Sequence, residues 1–190
     1  MSGFFEGLTD EQKKAALEYR GDENHGELEI PDLVDGNDPI LRINQPLYQF
    51  DDHDEEYHAR LAHVMARSLI HYGGLGLAAP QLGLPHRMFV MATNPVRVCI
   101  NPRIVDQSEE MVELDEGCLS FPKVLLNIIR PRRIRVRFWL PNKEVVTEVL
   151  HDLSARVYAH ELDHCNGILF MDHVSKLKLG IAQRKARKKD

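Results

Sequence analysis

The sequence predicts an α+β fold, antiparallel β-sheets packed around one central helix that carries an H-E-x-x-H pattern. Three observations point there. Residues 87 to 150 are mostly strand-like, and Arg133-Ile-Arg-Val-Arg-Phe-Trp-Leu140 alternates polar and apolar side chains as a half-buried strand does. Residues 55 to 72 set apolar side chains at 61, 64, 65, 69 and 72, the spacing of an amphipathic helix. The stretch Val157-Tyr-Ala-His160-Glu161-Leu-Asp-His164-Cys-Asn-Gly167 reads as a second helix, with Asp152 and Ser154 as candidate N-caps and Gly167 as the stop. A chain of 190 residues favours one domain with a sizeable core.

Residues 1 to 37 read as an acidic extension. Thr9-x-x-Gln12 is a capping-box pattern, so a short helix from Asp10 to Arg20 is expected, then a polar, mobile stretch to Gly36. The main domain is expected from Asp38-Pro39-Ile40-Leu41-Arg42 to residue 178. In the 55–72 helix, His58, His63 and His71 fall at scattered angles and read as surface or core-edge groups. Gly73-Gly74 ends that helix.

Gly74-x-Gly76-x-x-Ala79 imitates a dinucleotide fingerprint, but a helix precedes it where a strand is needed, and no phosphate-loop Lys follows. Its glycines instead let a ligand lie against the main chain, and Gln81 offers an amide donor nearby. Strands are expected over Arg87–Met91, Val96–Ile100 and Met111–Asp115, the last leading into Cys118. Arg133–Leu140 and Glu144–Leu150 are expected to pair across a Pro141-Asn142-Lys143 turn. Arg130, Arg132, Arg133, Arg135 and Arg137 fit the wet face of a sheet better than a nucleic-acid surface, so no DNA partner is expected.

An apolar fraction of 43% and a charged fraction of 28% are those of an ordinary soluble protein. No apolar run reaches eighteen residues, and the N-terminus lacks a signal peptide's basic-then-apolar layout, so no membrane association is expected. Cys99, Cys118 and Cys165 are an odd number and no disulfide framework, which suits a reducing cytoplasm. Charge is uneven. Residues 1 to 57 hold four Lys and Arg against sixteen Asp and Glu, whereas Lys176 to Asp190 holds seven against one. The basic tail from 179 to 190 suits either an acidic partner such as RNA or a solvated chain end.

The chemistry lies in the second helix. Residues four apart differ by about 40° round the axis, so His160 and His164 project from one face, placed to share a metal ion. Glu161 lies beside them, able to act on a water without ligating the metal. A catalytic metal usually takes three protein ligands. The H-E-x-x-H-x-x-G-x-x-H extension fails, because Phe170 stands at the third His position. Asp172 and His173 are downstream candidates. Cys118, in Glu116-Gly-Cys-Leu-Ser120, is the better one, since a thiolate is a good zinc or iron ligand. The set Asp172 or His173 with two His predicts a zinc endopeptidase. A metal-bearing module without activity is a further reading.

Taken together, Gly74-Leu-Gly-Leu-Ala-Ala-Pro-Gln81, Glu116-Gly-Cys-Leu-Ser120 and His160-Glu-Leu-Asp-His164 resemble the three signatures of the peptide deformylase family, in the family's order, over roughly residues 38 to 178. The chain departs from the family at Ala159, where Gln is usual, and at Cys165, where Leu is usual. The resemblance implies the α+β deformylase fold, a metal held by Cys118, His160 and His164, and Fe²⁺ as working metal, with Zn²⁺, Ni²⁺ or Co²⁺ able to replace it. It implies that a metal-activated water attacks the formyl carbon of N-formyl-Met peptides, with Glu161 as general base. Gln81 and the Leu119 backbone N–H then steady the oxyanion, and formate leaves. Leu75, Gly76, Leu119 and Val157 shape the cleft and the Met pocket. The resemblance also suggests an Arg132 partner for Glu116 and allows ribosome docking through a C-terminal helix.

Overall fold

A computed structural model describes residues 29 to 187 apart from Asn94. The helix expected over Asp10 to Arg20 lies outside them. The described chain forms α1 (Glu55–Tyr72), β1 (Gly76–Ala78), β2 (Met88–Met91), β3 (Arg97–Gln107), β4 (Met111–Cys118), β5 (Phe121–Pro131), β6 (Arg133–Trp139), β7 (Val145–His151), α2 (Asp152–Cys165) and α3 (Lys176–Arg187). One antiparallel sheet runs β1-β2-β3-β6-β7, and β4 pairs with β5 as a separate hairpin.

Strand β2 shows why two helices fit this sheet. All four of its side chains, Met88-Phe-Val-Met91, are buried. Successive strand residues point to opposite faces. Met88 and Val90 join Leu61, Met65 and Leu69 of α1, while Phe89 and Met91 join Tyr158 and Leu162 of α2. The sheet is therefore covered on both faces here, and its apolar run follows from that.

Helix α2 divides its own surface. Ala155, Tyr158, Leu162 and Cys165 pack on Ile134, Val136 and Phe138. At 100° per residue they occupy an arc of about 80°. Arg156, Val157, His160, Glu161 and His164 fall on the remaining side, over a further arc of about 140°. Packing against the sheet thus turns the polar residues toward the hairpin. The helix starts at Asp152 without a side-chain N-cap, so neither Asp152 nor Ser154 plays the expected part. Gly167 follows the C-cap at φ +72°, where a Cβ would stand 2.7 Å from the Arg42 backbone. Only glycine meets both demands.

Helix α1 is capped by Asp54, which accepts from the Tyr57 N–H, and closed by left-handed Gly73. His58 is not a surface group: it is buried and bonded to the Tyr48 hydroxyl at 2.6 Å. Residues before 38 already pack on the domain. Tyr72 donates to the Pro31 carbonyl, Val34 N–H donates to the Gln81 carbonyl, and Phe121 fills the space over Gly36. At the other end, residues on both sides of position 178 form one helix, α3. Its Leu179 and Ala182 pack with Leu126, Ile128 and Phe170 of the hairpin side. No helix of the described residues is long and apolar enough to cross a membrane.

Candidate active site

Strand β4 delivers Cys118, and α2 delivers His160 and His164. One ligand atom from each lies within 4.8 Å of the others, and Cys118 Sγ stands 3.3 Å from His164 Nε2. Among the described residues this is the one group of three such side chains close enough to share an ion. A thiolate and two imidazoles form a donor set suited to Zn²⁺ or Fe²⁺. The cluster fits a metal on its own chemistry. Burial and the neighbouring His160 and Arg130 charges hold the His164 imidazole well below its usual range, so it is neutral and ready to ligate.

His160 is oriented from behind. Its Nδ1 bonds Glu116 Oε2 at 2.9 Å. Glu116 also receives Arg130 Nε at 2.7 Å, Arg130 Nη2 at 3.0 Å and Arg156 Nη1 at 2.6 Å. Burial pushes the Glu116 carboxyl up, but the His160 and Arg130 hydrogen bonds outweigh it and hold the group at about 2. A carboxylate accepting at Nδ1–H leaves Nε2 free to bind metal, the usual arrangement behind a ligating histidine. Burial lowers the His160 pKa, but bonding to Cys118 and Glu116 prevails and holds it up to about 10. A metal would displace that proton, so binding is coupled to proton release.

Glu161 is 4% exposed, and burial, its largest influence, pushes its carboxyl up to about 7. Its Oε2 is buried without a hydrogen-bond partner. A base poised near neutrality with a free oxygen is what proton transfer needs. The Gly76 backbone packs against this side chain: a Cβ there would lie 2.4 Å from Glu161 Oε1. Glycine is required at 76 by proximity. Gln81 sits on a 3-10 turn, Ala79–Leu82. Its Oε1 accepts from the Ala78 N–H at 2.9 Å, which fixes the amide so that Nε2 faces Cys118 Sγ at 3.5 Å and Ser120 Oγ at 3.1 Å.

These parts open on one cavity of about 290 Å³, bordered by Leu75, Gly76, Leu119, Val157, Phe121 and Leu153. Between Glu116 and Cys118, two steps of β4 span five of β5. The excess on β5 includes Pro122 and Lys123, both on the cavity wall, with Lys123 at φ +69°. The hairpin irregularity therefore shapes the cleft.

Every site residue expected from sequence meets here. His164 does not border the cavity; it is buried, with its Nε2 3.3 Å from Cys118 Sγ, which does. The downstream ligand candidates lie elsewhere: Asp172 pairs with Arg42, and His173 with Asp163. Arg132 does not pair with Glu116. It is exposed and bonds Glu110 and Asp152. Arg130 and Arg156 hold Glu116 instead, and both are buried, so Arg130 is not on a wet face. The sequence reading missed Arg156 altogether. Its place four residues before His160, on the same helix face, was the available signal.

Residues 30 to 179 match the family model described as polypeptide deformylase. A peptide deformylase of Thermotoga petrophila is 43% identical over 151 residues, covering 78% of this chain and 89% of that protein. The crystal structure of peptide deformylase from Thermotoga maritima superposes with a TM-score of 0.71 at 38% identity, covering 78% of this chain and 99% of that one. A class I type b peptide deformylase from Acinetobacter baumannii, solved with Met-Ala-Ser bound, gives 0.73 at 27% identity over 77% and 99% of the two chains. This chain belongs to the polypeptide deformylase family, hydrolases that remove the N-formyl group from nascent polypeptides.

Proposed function

We propose that this enzyme works with one divalent metal held by Cys118, His160 and His164, with Glu161 as its general base and the Gly74–Gln81 segment and the β4–β5 hairpin as its substrate cleft. The observation that carries this is the convergence of three ligand atoms within 4.8 Å beside a buried carboxylate, at a cavity of about 290 Å³. The substrate is a chain beginning with N-formyl-Met. Met-Ala-Ser, bound by the Acinetobacter baumannii relative, is what removing the formyl group from such a peptide leaves.

A bound divalent ion supplies Lewis acidity, lowering the pKa of a water toward roughly 7 and polarising a carbonyl. The working ion in this reading is Fe²⁺, with Zn²⁺, Ni²⁺ or Co²⁺ able to replace it. The protein's own groups do the rest. Glu161 Oε2 accepts the proton of the attacking water. Gln81 Nε2 and the Leu119 backbone N–H donate to the formyl oxygen as it gains charge; one such donor typically contributes about 2.7–4 kcal/mol. Glu161 then returns the proton to the leaving amine, and formate departs. Leu75, Gly76, Leu119 and Val157 hold the Met residue in place.

The enzyme acts in the cytoplasm in this reading. The Lys and Arg residues of α3 support a weak, salt-sensitive contact with ribosomal RNA, which co-sedimentation with ribosomes at two salt concentrations tests. The direct test of function is formate release from formyl-Met-Ala-Ser, with and without a chelator. Turnover should vanish with the chelator and return with Fe²⁺ or Co²⁺. Cleavage at an internal peptide bond instead would overturn the assignment.

A further inference from the structure

We infer that His173 is a positioning residue of the metal centre, acting through Asp163 and Arg130 on the carboxylate that orients His160. The inference rests on the metal-centre reading proposed above. His173 stands in the 3-10 turn Phe170–His173, outside the cavity. Its Nε2 bonds Asp163 Oδ2 at 2.7 Å, and the same oxygen receives Arg130 Nη1 at 2.8 Å. Arg130 turns its other face, Nε and Nη2, to the two oxygens of Glu116. Glu116 Oε2 then meets His160 Nδ1 at 2.9 Å. One unbroken set of charge-assisted hydrogen bonds therefore joins the last 3-10 turn to a metal ligand.

A guanidinium clamped on both edges has one orientation; clamped on one edge it can pivot. Asp163 is the second clamp, and it is only partly shielded, with a side chain 15% exposed. Without His173, Asp163 Oδ2 keeps Arg130 as its side-chain partner and is open to water. A second observation separates this role from mere packing. The turn carrying His173 is anchored independently, because Asp172 Oδ2 accepts from the Leu169 N–H at 2.8 Å and from Arg42 Nη1. The His173 imidazole is thus not needed to hold the turn, and its polar contact is spent on Asp163.

The test titrates metal-free wild type, His173→Ala, His173→Gln and Arg42→Ala with Co²⁺ under anaerobic conditions. Thiolate-to-cobalt and ligand-field absorption are followed, and affinity is measured against a competing chelator. Groups bonded directly to a ligand typically change affinity 10–100-fold; one further removed should change it less. His173→Ala should weaken Co²⁺ binding about 5- to 10-fold and shift the ligand-field bands. His173→Gln, whose amide can still donate to Asp163, should recover wild-type affinity within about twofold. Arg42→Ala, which loosens the turn but spares the relay, should bind as wild type. Unchanged affinity and spectrum in His173→Ala would overturn the inference, as would equal losses in the Gln or the Arg42 variant. If His173→Ala does not fold, His173→Gln against His173→Leu carries the same comparison. Absence of a thiolate–cobalt band in the wild type would instead overturn the metal-centre reading beneath it.

Discussion

An alanine at position 76 probes how the cleft wall is fitted to the proposed base. A Cβ there would meet Glu161 Oε1 at 2.4 Å, Cγ at 2.6 Å and Cδ at 2.7 Å. Comfortable contact begins at about 3.5 Å, so the carboxylate must retreat by about 1 Å. Glu161 is buried, so it cannot swing out into solvent and must shift within the site. A misplacement of about 1 Å in a reacting group can lower the rate about 100-fold, or about 2.7 kcal/mol of barrier. The three nearest atoms to the new methyl all belong to Glu161 and none to a ligand, so metal content should stay at one ion per chain. Formate release from formyl-Met-Ala-Ser by Gly76→Ala, with metal measured on the same sample, checks both halves. Activity above half of wild type at full metal content would refute the reasoning, because it would show that the position of Glu161 does not limit turnover.

The other predictions concern the ligand set, the buried carboxylate and pH. Cys118→Ala should lose more than nine-tenths of its metal by elemental analysis, whereas an endopeptidase using Asp172 or His173 would keep it. Glu116→Ala strips the counter-charge from buried Arg130 and Arg156, a change that costs about 3–5 kcal/mol and should appear as a clear drop in thermal midpoint. Because Glu116 titrates at about 2 in the fold against an ordinary 4.5, its stabilisation is fully present above 4.5 and is lost as pH falls through about 2. Acid unfolding of Glu116→Gln should therefore lack that part of the transition when both proteins are titrated by circular dichroism. Glu161 must be ionised to accept a proton, so kcat/KM should fall with acid, with a midpoint at or below about 7 once a dication lowers its pKa; a profile flat down to the pH at which the fold itself is lost would speak against Glu161 as base.

The fold class and the two-histidine part of the candidate site were legible because their signals are local. The i, i+4 spacing of His160 and His164 needs only one helix, and the alternation from 133 to 140 needs only one strand. Strand β5 was not foreseen. Its turn from β4 at Leu119-Ser120 lacks the Asn-Gly or Asp-Gly chemistry that marks tight hairpins, and its register with β4 is broken. Arginine partners were misassigned for a related reason. Arg130 and Arg132 look equivalent in a run of alternating residues, but Pro131 ends β5 between them. Arg130 keeps its side chain inside the hairpin, and Arg132 is left outside with Glu110 and Asp152. Helix α3 gave no helical signal of its own: its Lys and Arg read as a basic tail for an acidic partner or for solvent, while Leu179 and Ala182, which pack it on the hairpin side, are too few to give a strong period. Gly76 illustrates what sequence withholds. Its glycine suggested an exposed backbone for substrate, and the close neighbour it makes room for, Glu161, lies eighty-five residues away.

The most direct test of the account is anomalous diffraction from crystals grown and kept without oxygen, collected on both sides of the iron edge. One ion is expected, about 2.3 Å from Cys118 Sγ and about 2.0–2.1 Å from one ring nitrogen each of His160 and His164. An ion bound through Asp172 or His173, or none within reach of Cys118, would contradict it.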